Sequence, residues 1–394
     1  MTRKEKTTIV IAGSLAQKPC QGGHTWQFLQ YLLGLKKLGY DVLFLDRIEP
    51  EMCFDADGKQ VDFEKSVNLS YFLRIMKEFG LSDQFSLTYN QCEKVIGQSR
   101  AQTIETLQRA PFLLNTMGFL TDPELLAAAE KKVFLDTDPG FGQMWCDLGW
   151  ANLFAGHDEF VTIAENIGKP ECKIPTCSLP WKTWRQPVLL DRWQPLENSS
   201  ASDRRPAWTS IGSWRGPYGS IEHHGVTYGL RAHEFRKFFK LPDLTQEPFE
   251  VALDIHTAEK PDLLALSDNH WSLSDPKKVA CDPWVYRDYI QNSKAEFMAT
   301  KGMYVHTHSG WFSERSICYL AAGKPVLAQN TGLGSLLPIG LGIVLFDDIE
   351  QAQQGVAEIA GNYTAHCKAA REIAVEHFDS SKVLMQLLRT LNVA

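Results

Sequence analysis

The chain has 394 residues, 44% of them hydrophobic and 22% charged. That length exceeds what a single core normally supports and predicts two domains, and the composition argues against a disordered chain. With 40 basic against 47 acidic residues the net charge is -7, which argues against a general nucleic-acid coat protein. No apolar run approaches the roughly 18 residues a membrane helix needs. Met1-Thr2-Arg3-Lys4 leads straight into a strand-like segment, so no signal peptide is expected. The cysteine count, 9, is odd and the thiols are scattered, which fits reduced thiols and a cytoplasmic location.

Thr7-Thr8-Ile9-Val10-Ile11-Ala12-Gly13 has the composition of a buried parallel strand. A Pro/Gly loop follows, then a helix over 25–38 with Phe28, Leu32 and Leu35 on one stripe and Gly39 as the stop. Asp41-Val42-Leu43-Phe44-Leu45-Asp46 is the next strand, completing a βαβ unit. Strands are expected at 112–117, 132–136 and 159–164, with helices at 71–79 and 123–131. Residues 1–168 therefore form an α/β domain.

The composition then shifts, because prolines and tryptophans crowd the stretch from Trp145 to Pro217. Pro170, Pro175, Pro180, Pro187, Pro195 and Pro206 break any long element, so 169–206 is expected to be an extended connector. A second α/β alternation fills 207–377. Its strands are expected at 208–212, 249–255, 270–273, 303–306, 325–328 and 342–346, and its helices at 232–239, 285–299, 313–322, 349–360 and 363–377. A terminal helix over 378–394 is expected to pack back on the first domain.

Two strand-to-helix turns carry the candidate chemistry. In Gln21-Gly22-Gly23-His24 the glycines permit close backbone approach, the helix start offers N–H groups to an anion, and His24 is placed to accept a proton. The spacing matches neither the dinucleotide fingerprint nor the phosphate loop. In Thr307-His308-Ser309-Gly310-Trp311-Phe312-Ser313-Glu314-Arg315, Ser313 is an N-cap and Arg315 a phosphate partner. Arg215, in Gly212-Ser213-Trp214-Arg215-Gly216, can supply charge to a leaving diphosphate. Asp136 and Asp138 end a strand, where one can orient His24. Glu165 and Asn166 are expected to line the cleft, and Trp181, with Trp184 and Trp193, to form an acceptor wall or to glue the domains. Cys172, Cys177 and His223-His224 are weak metal signals, and no metal site is expected.

Pro19-Cys20-Gln21-Gly22-Gly23-His24, followed by Leu38-Gly39-Tyr40-Asp41-Val42, resembles the N-terminal signature of the GT-B glycosyltransferases. His308-Ser309-Gly310-Trp311-Phe312-Ser313 is similar to the H-C-G-W-N-S donor motif of UDP-glycosyltransferases. Ala322-Gly323-Lys324-Pro325-Val326 resembles the A-x-G-x-P-V that follows the ribose-binding helix. The resemblance implies two Rossmann-like domains facing a central cleft, an acceptor bound by the first and a nucleotide-sugar by the second. It implies donor contacts from Gly22, Gly23, Arg215, His308, Ser309, Gly310, Ser313, Glu314 and Arg315, catalysis by His24, Asp138 and Asp136, and acceptor contacts from Glu165, Asn166 and Trp181.

The two acids of the retaining E-x7-E motif would fall at Gly310 and Cys318, so Glu314 becomes the candidate for the ribose hydroxyls. The implied activity is a metal-independent transfer of a sugar, UDP- or dTDP-linked, to a small-molecule or glycan acceptor. No cofactor beyond the co-substrate is expected, and no stable nucleic-acid or membrane partner. A sugar-nucleotide epimerase and a non-catalytic nucleotide-binding protein are the competing functions.

Overall fold

Buried β-branched runs pair in parallel because both of their faces are covered by helices. A computed structural model describes residues 6–196 and 206–393; residues 197–205 of the expected connector lie outside the described residues. The first domain supplies β1 (Thr8–Ala12), β2 (Asp41–Ile48), β3 (Phe85–Tyr89), β4 (Lys94–Gly97), β5 (Leu113–Thr116), β6 (Lys132–Asp136), β7 (Glu159–Thr162) and β8 (Trp181–Thr183). They form one sheet in the order β4-β3-β2-β1-β5-β6-β7-β8, parallel except for the β3–β4 hairpin.

The second domain adds β9 (Trp208–Ser213), β10 (Ile221–His223), β11 (Val226–Tyr228), β12 (Phe249–Asp254), β13 (Ser272–Leu273), β14 (Ala295–Met298), β15 (Val326–Gln329) and β16 (Ile343–Phe346). Six of these make a parallel sheet, β13-β12-β9-β14-β15-β16, and β10–β11 is a separate hairpin. Each sheet reverses its order beside its first strand, and open α/β sheets bind ligands at that switch point, past the strands' carboxyl ends.

Three expectations fail for identifiable reasons. Ala295–Met298 was expected at the end of a long helix, and it is instead the central strand β14. Its Ala, Glu and Met favour helices in isolation, but Ser293 stops the helix Pro283–Asn292 in an extended conformation and burial decides the rest. Residues 303–306, expected as a strand of the second alternation, lie in the short helix Gly302–His306. The third is Trp181–Thr183, placed in the connector, which pairs with β7 as the far edge of the first sheet.

The domains are tied together by many bonds. Trp26 Nε1 donates to Pro283 O at 2.7 Å, and the ring packs against Trp193 and Trp284. In the connector, Val188 N donates to Phe378 O and Ser380 N to Val188 O, and Trp184 and Trp193 are buried. The helix Ser380–Thr390 lays Leu384 against Gly34 of the first long helix, so that a β-carbon at Gly34 would meet Leu384 Cδ1 at 2.5 Å.

Candidate active site

The second domain's switch point lies between β9 and β14. Beyond β9, Gly212 has φ +150, and Arg231, from the start of the helix Arg231–Phe235, lies against its α-carbon. Arg231 Nη1 is 3.4 Å from Ile211 O, and Nε has no hydrogen-bond partner among the described residues. No carboxylate of the described residues forms an ion pair with this guanidinium, which is 8% exposed. Burial, reinforced by nearby Arg315, pushes it down to about 9. A buried cation without a carboxylate is costly unless an anion comes to it.

Beyond β14 come Thr300, whose buried Oγ1 also lacks a partner among the described residues, and Lys301. Most of the polar groups beneath are already paired, although Glu296 Oε2 is buried without a hydrogen-bond partner among the described residues. Arg315 Nε donates to Glu296 Oε1 at 2.6 Å, and Gln329 accepts from Thr300 N and donates to Glu234. Burial opposes the charge on Glu234, but hydrogen bonds from His306, Lys237 and Gln329 prevail and hold it down at about 2. These pairs are scaffolding, and Arg231 is the cation left over.

Across the cleft the first domain offers the loop after β1 and the end of β6. Asp138 accepts from Lys301 Nζ at 2.7 Å and from the Tyr304 hydroxyl, spanning the two domains. Lys301 Nζ also stands 5.1 Å from the centre of the Phe141 ring. Lys18 is half-buried nearby; burial lowers its ammonium, and Asp138 and Lys301 both lie within its electrostatic reach. Asp46 pins this loop by accepting from Ala16 N at 2.6 Å and Gln17 Nε2 at 3.0 Å, and burial raises its carboxyl to about 7.

His24 does not sit as expected. Its Nε2 is 3.1 Å from both the hydroxyl and the carbonyl oxygen of Ser14, which tie the ring to the loop after β1. Burial and then Lys18 push the imidazole down to about 3, far from a base that works near neutrality. Neither aspartate orients it. Asp136 is buried and accepts from Gln143 Nε2 and Thr162 Oγ1; burial raises it to about 6. The expected His–Asp pair is therefore absent among the described residues, because both acids bind other donors.

The glycines before His24 also have a different task. A β-carbon on Gly22 would strike Asp282 O, and one on Gly23 would meet the Tyr286 ring at 3.1 Å. Gly22 N donates to Ala280 O at 2.7 Å. The helix start that was expected to receive an anion is packed against the second domain. Arg215 is exposed and bound to both carboxylate oxygens of Glu259.

The turn of His308, Ser309 and Gly310 is likewise a joint. Asn166 N donates to Ser309 O at 3.1 Å, and Asn166 Nδ2 donates to His308 O and Gly332 O. Gly310, at φ +70, has no room for a β-carbon beside Leu336 and Asn166. Asn166 thus spends its amide on clamping the domains. Glu165 pairs with Arg185 at 2.9 Å, and that arginine also reaches Leu336 O. Trp181 packs with Phe134, Phe154 and Phe160 at the sheet edge, away from the cleft. Ser313 does cap the helix Glu314–Ala321, accepting from Arg315 N. Glu314 Oε1 accepts from Cys318 Sγ at 3.2 Å, and burial raises its carboxyl to about 7. That brings a carboxyl over position 318, where the E-x7-E pattern would put one.

Sequence reasoning missed Arg231, Lys301, Tyr304 and Lys18. Arg231 sits in no motif, and only the fold carries it to Gly212. A weak signal existed for Lys301, whose Lys-Gly pair follows Ala-Thr in a strand-end context.

No family model matches the chain, and no curated protein matches it. Solved structures do. A glycosyltransferase from Rickettsia africae is 11% identical with a TM-score of 0.56, covering 98% of both chains. An α-glucosyltransferase in complex with UDP and a 13-mer DNA is 11% identical with a TM-score of 0.60, covering 98% of this chain and 100% of its own. Anabaena HepE in complex with UDP-glucose is 12% identical with a TM-score of 0.58, again covering 98% and 100%. At these identities the likeness shows the fold, which is GT-B.

Proposed function

We propose that this protein is a glycosyltransferase that moves a sugar from a nucleoside-diphosphate sugar, UDP- or dTDP-linked, to a small-molecule or glycan acceptor. One observation carries the reading: Arg231 is a buried guanidinium without a carboxylate partner among the described residues, held at the switch point of the second sheet. A diphosphate is the anion that matches it, and the solved neighbours of this fold named above bind UDP or UDP-glucose. Thr300 Oγ1 and Lys301 lie past the adjacent strand, and Lys18 faces them from the other domain.

These cations supply the charge that a departing diphosphate requires, so transfer needs no metal ion in this reading. Glu314 is the group for the ribose hydroxyls. Asp138 is the carboxylate at the junction of the domains, and it takes the acceptor proton once the acceptor displaces Tyr304 or Lys301 from it. A net charge of -7 disfavours DNA as the acceptor, although one neighbour was solved with DNA. The nine cysteines are all free thiols, which accords with a reducing cytoplasm. An epimerase acting on the donor alone would need paired carboxylates at the sugar; Asp136 is committed beneath the sheet, which favours transfer.

The test is a panel of nucleotide-sugars incubated with pooled acceptor sugars and glycolipid headgroups, with sugar transfer and free nucleotide followed together. Transfer by the wild-type protein and its loss in Arg231→Met support the reading. Free epimerised nucleotide-sugar, or no turnover with any donor despite tight UDP binding, would replace it with one of the two alternatives.

A further inference from the structure

Asp147 is the last residue of the helix Phe141–Asp147 in the first domain, and the β10–β11 hairpin of the second domain delivers two consecutive histidines to it. His223 Nε2 is 2.8 Å from Asp147 Oδ2, and His224 Nε2 is 3.9 Å from the same atom. The ligand atoms of all three residues lie within 4.8 Å of one another. Neighbouring side chains on a strand normally point to opposite faces. His224 escapes that rule because it opens a two-residue turn with Gly225, at φ +51 and +73, and its ring comes to 4.1 Å from that of His223.

Asp147 stands where a carboxylate is least favoured. The carboxyl end of a helix carries partial negative charge, and this helix has no basic residue in its last turn. Among the described residues no lysine or arginine pairs with Asp147; its ion-pair partners are the two histidines. Two imidazoles and a carboxylate converge from both domains, with no lysine or arginine between them among the described residues.

The geometry points to a transition-metal site of the zinc type at Asp147, His223 and His224, bridging the two domains. Ligands at about 2.0–2.2 Å from a tetrahedral ion stand roughly 3.3–3.5 Å apart, between the two separations seen here. Two imidazoles and one carboxylate select first-row transition ions over magnesium or calcium. Ion binding replaces the His223–Asp147 hydrogen bond with two coordinate bonds, and the His223 proton moves to Nδ1. The side chains of His224 and Asp147 are 82% and 38% exposed, which leaves an entry path and a fourth position for water. Because the ligands belong to different domains, a bound ion holds the domains together by mass action. Phe141, Trp145 and Tyr218 pack across the same junction beside it. This inference does not depend on the transferase reading.

The experiment is a titration of the full chain with Co²⁺, read by visible absorption, followed by Zn²⁺ competition and zinc equilibrium dialysis. The expected result is one ion per chain, with tetrahedral nitrogen/oxygen bands and no thiolate charge-transfer band. His224→Ala alters an exposed residue and leaves folding intact, as circular dichroism will verify. It should weaken binding by at least about 100-fold, since losing even an outer partner of a metal ligand costs about 10–100-fold. Asp147→Asn should weaken binding similarly, and a Cys146→Ser/Cys177→Ser variant should bind as the wild type does. Absence of a stoichiometric ion, unchanged affinity in His224→Ala, or loss confined to the cysteine variant would each overturn the assignment.

Discussion

Arg231 rests its guanidinium on the bare α-carbon of Gly212, so that a β-carbon there would collide with Nη1 and stand 3.2 Å from Cζ. The glycine and the arginine form one device, in which the missing side chain makes the space for the buried cation. Arg231→Met should weaken diphosphate binding by at least about 2 kcal/mol, the loss of one charge-assisted pair. The same variant should raise the melting temperature of the nucleotide-free protein, because it removes a desolvated charge. Gly212→Ala should weaken UDP binding without touching any ligand atom. Calorimetry of UDP binding together with thermal melts checks all three; a nucleotide-free Arg231→Met protein less stable than wild type would show that the guanidinium is already satisfied.

Arg215 and Ser313 should behave quite differently. Arg215 is exposed on Glu259, and exposed ion pairs contribute little to stability because water screens them. Ser313 accepts from Arg315 N, so Ser313→Ala should cost about 1 kcal/mol of stability. The Arg215→Ala/Ser313→Ala variant is expected to bind UDP within a few-fold of wild type while melting lower. A large affinity loss at an unchanged melting temperature would return both residues to the donor site.

His24 should show no titration between about pH 5 and pH 8 in an imidazole NMR experiment. Its folded value lies below the ordinary 6.5, so the unfolded chain takes up the proton first as pH falls. The stability it contributes is therefore complete above 6.5 and shrinks toward about 3. His24→Gln keeps an amide that can pair with Ser14 and removes that proton linkage. Relative to wild type it should become more stable as pH is lowered from about 7 to about 4. Denaturant melts across that range decide the matter.

Glu314 works in the opposite direction. Burial lifts its folded value to about 7 from the ordinary 4.5, so its contribution is present at low pH and is lost as pH rises through about 7. Glu314→Gln should differ least from wild type in stability below the ordinary 4.5 and exceed it increasingly as pH rises to about 7 and above. In UDP titrations the same variant should bind more weakly if the carboxylate holds the ribose. A gap between the two melting curves that does not widen with pH would mean the carboxyl is already charged in the fold.

The local alphabet determined much of this protein. Ile9-Val10-Ile11, the stripe of Phe28, Leu32 and Leu35, and the stop at Gly39 specify strand, helix and turn from residues that are neighbours in the chain, and Ser313 is legible as a cap for the same reason. The two-domain α/β architecture follows from such signals because hydrophobic periodicity is a local property. Position in the cleft is not local. Gly22 and Gly23 carry a ligand-loop spelling, yet they are small because Asp282 and Tyr286 pack on them. Asn166 was placed near the cleft, and only its bonds to His308, Ser309 and Gly332 make it a clamp. Ala295–Met298 is a strand because it lies between β9 and β15, despite its helix-favouring residues. Arg231 depends on Gly212 and on which carboxylates the other arginines have already taken, and that competition for partners exists only once both sheets are assembled.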